Sequence, residues 1–384
     1  MKRRLLKSAA VIWLRKEGGN NMAKKFSGLA GKILRVDLTR GKVKTERTDP
    51  ALFKQFIGAR GVGAAMIYQE LKAGIDPLGP DNKLIFMTGP VEGTMAPGAS
   101  KITVTFKSPA TNSISWALCG GQMASELKFA GYDGIIVEGK SAKPVYLWIN
   151  DDEVEIRDAS AYWGKKTHET EDGIRAELKQ PTAVVAVIGP SGEKKVLFAC
   201  IQADYHREFG RGGCGAVMGS KNLKAIAVHG TGGIPVADPK GLAHLTEEIY
   251  RTLASHGKAQ ARRKFGTVEM VDGINNLGFW SVRNFRGGVF EAGHEVNHAA
   301  MKSELVFGDV SCYGCPVACG KNSKVKTGSL AGTVIEGPEF ESMGLLGPNC
   351  GVKALDYIAK ASEICDTFGM DTISAGVVVS FAME

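Results

Sequence analysis

The stretch GKILRVDLTRGKVKTER, residues 31–47, decides the fold class. Lys32 to Leu38 alternates apolar and polar side chains, Thr39-Arg40-Gly41 supplies a turn, and Lys42 to Arg47 alternates again. That is the pattern of a β-hairpin. Working outward, Lys83 to Thr88 and Ile102 to Phe106 are apolar enough to read as buried strands. Ile135 to Glu138, Val145 to Ile149 and Val154 to Arg157 follow, with Asn150-Asp151-Asp152 turning between the last two. Ala183 to Ile188, Val196 to Ile201 and Lys224 to Val228 complete the set of strands. Two segments have helical spacing: Phe53 to Leu71, interrupted by Gly58, Gly61 and Gly63, and Trp163 to Leu178.

After Ile234-Pro235 the periodicity changes, and Lys240 to Ser255 and Leu355 to Phe368 read as helices. The expected class is α+β. A β-rich N-terminal domain spans residues 23–232, and a mostly α-helical domain spans residues 233–384. The apolar run from Val377 to Glu384 carries no cap and reads as the interior of a helix that continues. Residues 1–22 do not share the pattern. Their apolar run, Ser8 to Leu14, is too short to cross a membrane and makes a poor signal peptide, so they read as a leader from a misplaced start.

Composition excludes several classes. With 384 residues, 44% hydrophobic and 23% charged, the chain is an ordinary globular sequence long enough for two domains. The 49 glycines sit beside apolar runs, which marks turns and close backbone approaches rather than disorder. A net charge of +8 is spread thinly, without a basic stripe interleaved with aromatics, so nucleic acid is not expected as a partner. Such a charge reads as a solvated basic surface, and it would also favour an acidic protein partner. No segment is long and apolar enough to suggest a membrane span. The eight cysteines are not arranged as a secreted disulfide framework, and a reducing cytoplasm with a metal site fits them better.

Three of those cysteines form the sharpest local signal. In SCYGCPVACG, residues 311–320, Cys312, Cys315 and Cys319 have C-x2-C-x3-C spacing. Thiolates this close can wrap one soft metal centre from several directions, and the small intervening residues with Pro316 suit such a loop. Iron–sulfur is favoured over structural zinc, which ordinarily uses paired knuckles or histidines, and over unmetallated packing. Cys350 and Cys365 are fourth-ligand candidates, or buried core thiols.

A second signal is HREFGRGGCGAVMGSKNLK, residues 206–224. Its glycines would let backbone amides approach a ligand, and Arg207 and Arg211 could grip phosphate oxygens. It has neither P-loop order nor the dinucleotide fingerprint. The segment therefore reads as a cradle for a phosphorylated cofactor, or as a structural turn. His206 and His168 each stand alone and read as satisfied structural histidines, with His206 the better placed for a cofactor contact.

Taken together, these segments resemble the aldehyde:ferredoxin oxidoreductase family of tungsten enzymes, across about residues 26–384. The likeness also rests on IGARGVGAAMIY, NKLIFMTGPVEGTMAPGASKITVTFKSP, GGQMASELKFAGYDGIIVEGK, PVYLWINDDEVEIRDAS, EGPEFESMGLLG and CDTFGMDTISAG, in that order. It implies a tungsten (or molybdenum) centre held by two pterins, a magnesium ion bridging their phosphates, and one 4Fe–4S cluster. It further implies a cytoplasmic enzyme that oxidises small aldehydes to carboxylic acids and passes electrons to ferredoxin, with a homodimer allowed.

By that resemblance Arg60, Lys101, Gly120, His206, Arg207, Glu208 and Arg211 would line the pterins. Lys101 stands for an arginine and Leu118 for an asparagine of the best-known members, which would weaken two polar contacts. Asp366 and Asp371, in DTFGMD, would accept hydrogen bonds from a pterin; read alone, that segment is a helix end with a glycine cap. Cys312, Cys315 and Cys319 would be three cluster ligands, with the fourth ligand and the second half of the cradle expected past residue 384. Cys350 and Cys365 would then be packing residues, and a chain of this extent would hold only part of the cofactor. Lys360 and Glu363 replace the Glu-x-x-His of a dimer-bridging iron site, so no such iron is expected. Glu341 would be the catalytic carboxyl beside the metal, shuttling a proton from an apolar cavity that raises its pKa. Two alternatives are a related tungsten enzyme that reduces aryl thioesters or carboxylic acids, which the EGPEFES stretch disfavours, and a truncated, non-catalytic iron–sulfur protein.

Overall fold

A computed structural model describes residues 27–384, and the leader read over residues 1–22 lies outside the described residues. The hairpin forms where the alternation puts it, as β1 (Lys32–Asp37) and β2 (Lys42–Arg47), paired antiparallel. Two short helices follow, α1 (Pro50–Phe56) and α2 (Ala59–Glu70). The single interrupted helix expected over this stretch breaks at Ile57, whose φ of 69° turns the chain out of helical geometry.

Next come β3 (Leu84–Met87), β4 (Ile102–Lys107), β5 (Ile114–Cys119), α3 (Met123–Phe129) and β6 (Gly134–Glu138). They complete a six-stranded sheet of order β2-β1-β6-β3-β4-β5, in which β1 and β6 run parallel. β7 (Val145–Asn150), β8 (Glu153–Asp158), α4 (Thr167–Leu178), β9 (Val184–Val187), the single turn α5 (Pro190–Glu193), β10 (Ile201–Ala203), β11 (Arg207–Phe209), α6 (Cys214–Ser220) and β12 (Leu223–His229) follow. Their strands form a second sheet, β11-β10-β9-β12-β7-β8.

Alternation along the strands explains the layering. Leu34, Phe86, Val104 and Ile135 of the first sheet share one core with Leu147, Val184, Ile226 and Val228 of the second, so the two sheets are joined through that core. The neighbouring positions Ile33, Ile85 and Ile136 point the other way and pack on Phe53 of α1 and Val62 and Ile67 of α2. Tyr146, Trp148 and Val185 likewise leave the shared core and meet Ile174 of α4. The result is helix, sheet, sheet, helix.

The second region holds α7 (Pro239–Ser255), α8 (Gly257–Phe265), α9 (Val271–Asn276), α10 (His298–Glu304), α11 (Phe340–Leu346), α12 (Leu355–Phe368) and α13 (Thr372–Met383). It also contains a small sheet, β13 (Val306–Val310), β14 (Gly320–Lys324) and β15 (Val334–Glu336), which the periodicity did not predict. Its separate core is built from Val271, Trp280, Met301, Met343 and Ile358.

Two further expectations are corrected. The helix read from Trp163 begins at Thr167. The strand read over residues 196–201 is absent, apart from an isolated antiparallel bridge between Ala199 and Met370 and the start of β10 at Ile201. The backbone groups of that stretch are used elsewhere: Gly215 N donates to Ala199 O at 3.0 Å, and Cys200 N donates to Gly369 O at 3.0 Å.

One ionic group anchors the first domain from inside. Lys128 and Asp133 are fully buried, with Nζ 2.6 Å from Oδ1. Asp133 also accepts from Ala30 N, Gly31 N and the Thr48 hydroxyl, so its oxygens are saturated. Replacing Asp133 by Ala would strand the Lys128 charge and should cost about 3–5 kcal/mol in urea unfolding. A loss under about 1 kcal/mol would show that Lys128 is satisfied by its other acceptor, the Gly28 carbonyl, alone.

Candidate functional site

The site is assembled at the seam between the two regions. The Asp204-Tyr205 turn, with both residues at positive φ, carries the chain from β10 into β11 and presents His206, Arg207 and Glu208. Asp204 is half-buried, desolvation of its carboxyl raises its pKa, and it accepts a hydrogen bond from Gln122 N at 2.8 Å. That bond pins the Gly120–Gln122 turn at the end of β5.

Lys101, Gly120, Arg207 and Cys312 converge there. Gly120 has no room for a side chain: a Cβ would sit 2.9 Å from Cys312 Sγ and 3.0 Å from Lys101 Nζ. The cysteine loop is held on the same turn by Tyr313 N, which donates to Gly121 O at 3.1 Å, and by an edge contact between Tyr313 and Phe129. On its other side, Tyr250 Oη donates to Gly314 O at 2.6 Å. Cys312 is buried, while Cys315 and Cys319 are half-buried. Burial pushes the Cys319 thiol up, opposed by the Arg207 charge. Among the described residues, no three Cys, His, Asp or Glu side chains are gathered tightly enough to hold a single metal ion.

Arg207 reaches into the second region, where Nη2 lies 2.7 Å from Glu336 Oε1. Burial disfavours its charge, but Glu336, Cys312 and Cys319 outweigh that and raise its pKa. The contact with Glu336 is not aligned as a hydrogen bond, so among the described residues Nη2 is a buried donor without an acceptor. Gln202 Oε1 is a buried acceptor in the same condition. Buried polar atoms ordinarily find partners, so these two suit a polar ligand. Glu336 itself is pushed up to about 7 by burial, against the pull of Arg207.

His206, Glu208 and Asp366 form a second cluster beside the first. Thr167 Oγ1 donates to Asp366 O at 3.0 Å, which fixes the end of α12. Burial and the facing Asp366 carboxyl raise the Glu208 pKa well above the carboxylate range, and burial likewise raises that of Asp366. Such a pair retains a proton and can both donate and accept. His206 Nδ1 lies 3.3 Å from Asp366 Oδ2. Asp371 is 3.2 Å from Arg211 Nε and also caps α13, accepting from Ile373 N and Ser374 N. Gly369 ends α12 in left-handed geometry, φ 74°, so the helix-cap reading of DTFGMD is realised as well.

Other expected site residues lie apart. Arg60 is exposed and stacks over Trp116 at 4.6 Å, on the outward row of β5 formed by Ile114, Trp116 and Leu118. Glu341 stands in the first turn of α11 with its side chain exposed. The apolar enclosure expected around it is therefore not found among the described residues. The more enclosed carboxyls of that stretch are those of the half-buried Glu336 and Glu339. Glu339 is raised by burial and accepts from the Thr267 hydroxyl. Both were visible in EGPEFES as acids flanking Gly337-Pro338, but only their contacts single them out. Cys350 and Cys365 are buried, Cys350 Sγ facing Leu345 O and Gly376 O. His168 packs edge-on against His206 and bonds Tyr205 O. Lys360 pairs with Glu363.

The glycine-rich segment is only partly a cradle. α6 is buried along its whole length, and a Cβ at Gly215 or Gly219 would sit 2.2 Å from Cys200 O or 2.0 Å from Gly192 O. Those two glycines serve backbone packing and Gly212 is closed in by Ser115 and Phe106, which leaves Gly210-Arg211 as the open part of the turn.

Burial holds the His206 imidazole at about 4, with the Arg207 charge acting in the same direction. The unfolded value is about 6.5. Between these values the unfolded chain binds more protons, so stability falls as pH drops through the window and the loss is complete below the folded value. His206→Gln should remove about 2 kcal/mol of the difference between unfolding free energies at about pH 7 and about pH 4.5. An unchanged difference would mean that His206 does not titrate as assigned.

Comparison with known proteins shows the family. Residues 33–230 match the family described as aldehyde ferredoxin oxidoreductase, N-terminal domain, and residues 244–384 match the same family's domains 2 and 3. The tungsten-containing aldehyde ferredoxin oxidoreductase of Pyrococcus furiosus is 44% identical over 92% of this chain and 58% of its own length. The Thermococcus kodakarensis protein of that name is 45% identical over the same shares. The WOR-like subunit of an aliphatic sulfonate oxidoreductase from P. furiosus is 35% identical over 92% of this chain and 59% of its own length. Among solved structures, the active-site complex BamBC of benzoyl coenzyme A reductase superposes with a TM-score of 0.81 at 30% identity, over 93% of this chain and 55% of that one. The chain thus spans under three-fifths of the length of these relatives, and it belongs to the aldehyde ferredoxin oxidoreductase family.

Proposed function

We propose that the chain is part of a tungsten-pterin oxidoreductase that converts aldehydes to carboxylic acids and delivers the electrons to ferredoxin. The observation that carries this reading is the convergence of Lys101, Gly120, Arg207 and Cys312 on one turn. It joins the residues assigned to a pterin with those assigned to a cluster.

The residues present fit both groups. Cys312, Cys315 and Cys319 offer thiolates to iron, and the bare Gly120 lets Cys312 Sγ and Lys101 Nζ come close to its backbone. Lys101, Arg207 and Arg211 would supply positive charge for the phosphates of bound pterins, with magnesium as a further cation there. Glu208, Asp366 and Asp371 supply acceptors, and Gln202 Oε1 and Arg207 Nη2, the latter ion-paired with Glu336 but not hydrogen-bonded to it, suit polar groups of a ligand. When bound, the tungsten-pterin centre would accept two electrons, and the cluster would pass them on singly.

The remaining chemistry falls to the chain. Aldehyde and water yield a carboxylic acid, two electrons and two protons, so protons must leave the site. Glu341 is our candidate carrier by its position in the family motif. Glu336 and Glu339 could relay those protons outward, because burial raises their carboxyls above the usual carboxylate range. Arg207 would orient substrate or cofactor oxygens while Glu336 balances its charge.

The benzoyl coenzyme A reductase likeness favours one second reading, reduction of aryl thioesters on the same scaffold. Anaerobically purified protein, in full length, should contain tungsten and iron and reduce a viologen dye with aldehydes. Thioester-dependent turnover without aldehyde activity would select the second reading, and protein free of both metals would reject both. Glu341→Gln should lower aldehyde turnover by about 100- to 10,000-fold. Turnover within about threefold of the parent would remove Glu341 from the mechanism.

A further inference from the structure

The cysteine loop is closed on one side and open on the other. Cys312 faces inward against the Gly120 turn, and Tyr313 is bonded to Gly121. Pro316 and Val317, between Cys315 and Cys319, instead line a cleft of about 390 Å³ together with Tyr250, Arg263, Lys264 and Asp309. Across that cleft stands α8, a nine-residue helix, GKAQARRKF, in which no residue is buried.

The cleft and its rim are basic. Lys258, Arg263 and Lys264 are exposed on α8, and none has an ion-pair partner among the described residues. Exposed Lys302 adds to them, with Nζ 5.5 Å from the Phe265 ring centre and donating to Lys264 O at 3.2 Å. Arg262 is neutralised by Glu269 at 3.1 Å. Asp309, the acid lining the cleft, is already paired with Lys321 at 2.9 Å. The same ammonium donates to Arg263 O at 2.6 Å and Ala318 O at 3.0 Å, tying the helix rigidly to the loop. A helix with so little apolar contact is held here by these polar ties, and it leaves its cations facing solvent.

We infer that α8 and the cleft before Pro316-Val317 form the docking surface for a small acidic one-electron carrier protein of the ferredoxin kind. This rests on the reading that Cys312, Cys315 and Cys319 hold a redox cluster. Pro316 and Val317, which lie between Cys315 and Cys319, line the cleft, so a carrier seated there would stand beside two of the cluster ligands. Redox encounters bury little area and depend on opposite charge for speed and orientation. Positive charge fixed on a rigid helix beside the exit supplies it.

The test uses the cofactor-loaded, full-length enzyme carrying Lys258→Glu, Arg263→Glu and Lys264→Glu together. Stopped-flow reduction of ferredoxin at low ionic strength should slow by about 10- to 100-fold, with the gap closing as salt rises. Viologen reduction, which needs no docking surface, should be unchanged. A ferredoxin rate within about twofold of the parent, or an equal loss with viologen, overturns the inference. So does a variant that merely converts a dimer to monomers, since the face would then belong to a second copy. Calorimetric binding of oxidised ferredoxin separates this inference from the proposed activity. Binding lost in the variant but no aldehyde turnover in the parent would remove the activity alone. Aldehyde turnover with unaltered binding would remove the docking surface alone.

Discussion

Everything in the site depends on a short run of backbone hydrogen bonds that locks the two regions together. Cys200 N donates to Gly369 O, Asp371 N donates to Phe198 O at 3.1 Å, and Ala199 bridges Met370. Through these bonds residues 198–200 of the first region and 369–371 of the second act as one structural piece. Neither Asp366 nor Asp371 would face Glu208 or Arg211 without them. Main-chain bonds of this kind constrain position more tightly than side-chain contacts, because they leave no rotamers free. A cofactor cradle shared between regions needs that constraint, since an error of about 1 Å in placement is costly to chemistry.

The electrostatics of the seam follow from the same closure. Burial drives Glu208, Asp366, Asp204, Glu336 and Glu339 toward their neutral forms, while Arg207 is the buried cation set among them. Lys101 and Arg211 stay exposed at the rim. The interior therefore holds more acid than base, with protons making up the difference. Such an interior suits a ligand that brings donors to the carboxyls and anionic groups to the rim cations.

Legibility in the sequence tracked how local each cause was. The β1–β2 hairpin was plain because alternation and turn chemistry lie within residues 31–47. So were α7 and α12, whose apolar stripes repeat at helical spacing. β5 was missed because its inward residues, Ser115, Ala117 and Cys119, are small, while its large apolar residues face out. β14 was missed because GKNSK is polar throughout, although Lys321 and Ser323 are buried and held by bonds to distant carbonyls. The false strand at residues 196–201 has strand-like composition, but its bonds go to α6 and to the Gly369 turn. At the site, residue types and spacing disclosed the cysteines, the arginines and the aspartates of DTFGMD. The weight carried by Glu336, Glu339 and Asp204 comes from partners 72 to 129 positions away in sequence, Gln122 for Asp204, Arg207 for Glu336 and Thr267 for Glu339, and no local pattern records it.

The outward row of β5 carries one more consequence. Ile114, Trp116 and Leu118 stand exposed on a strand with a neighbour on only one side, and Arg60 shields part of Trp116. An uncovered, oily sheet margin is a template for pairing between molecules. Whatever rests on this margin in the working protein thus also acts as its guard against clumping, a part that the cation over the indole already plays for Trp116.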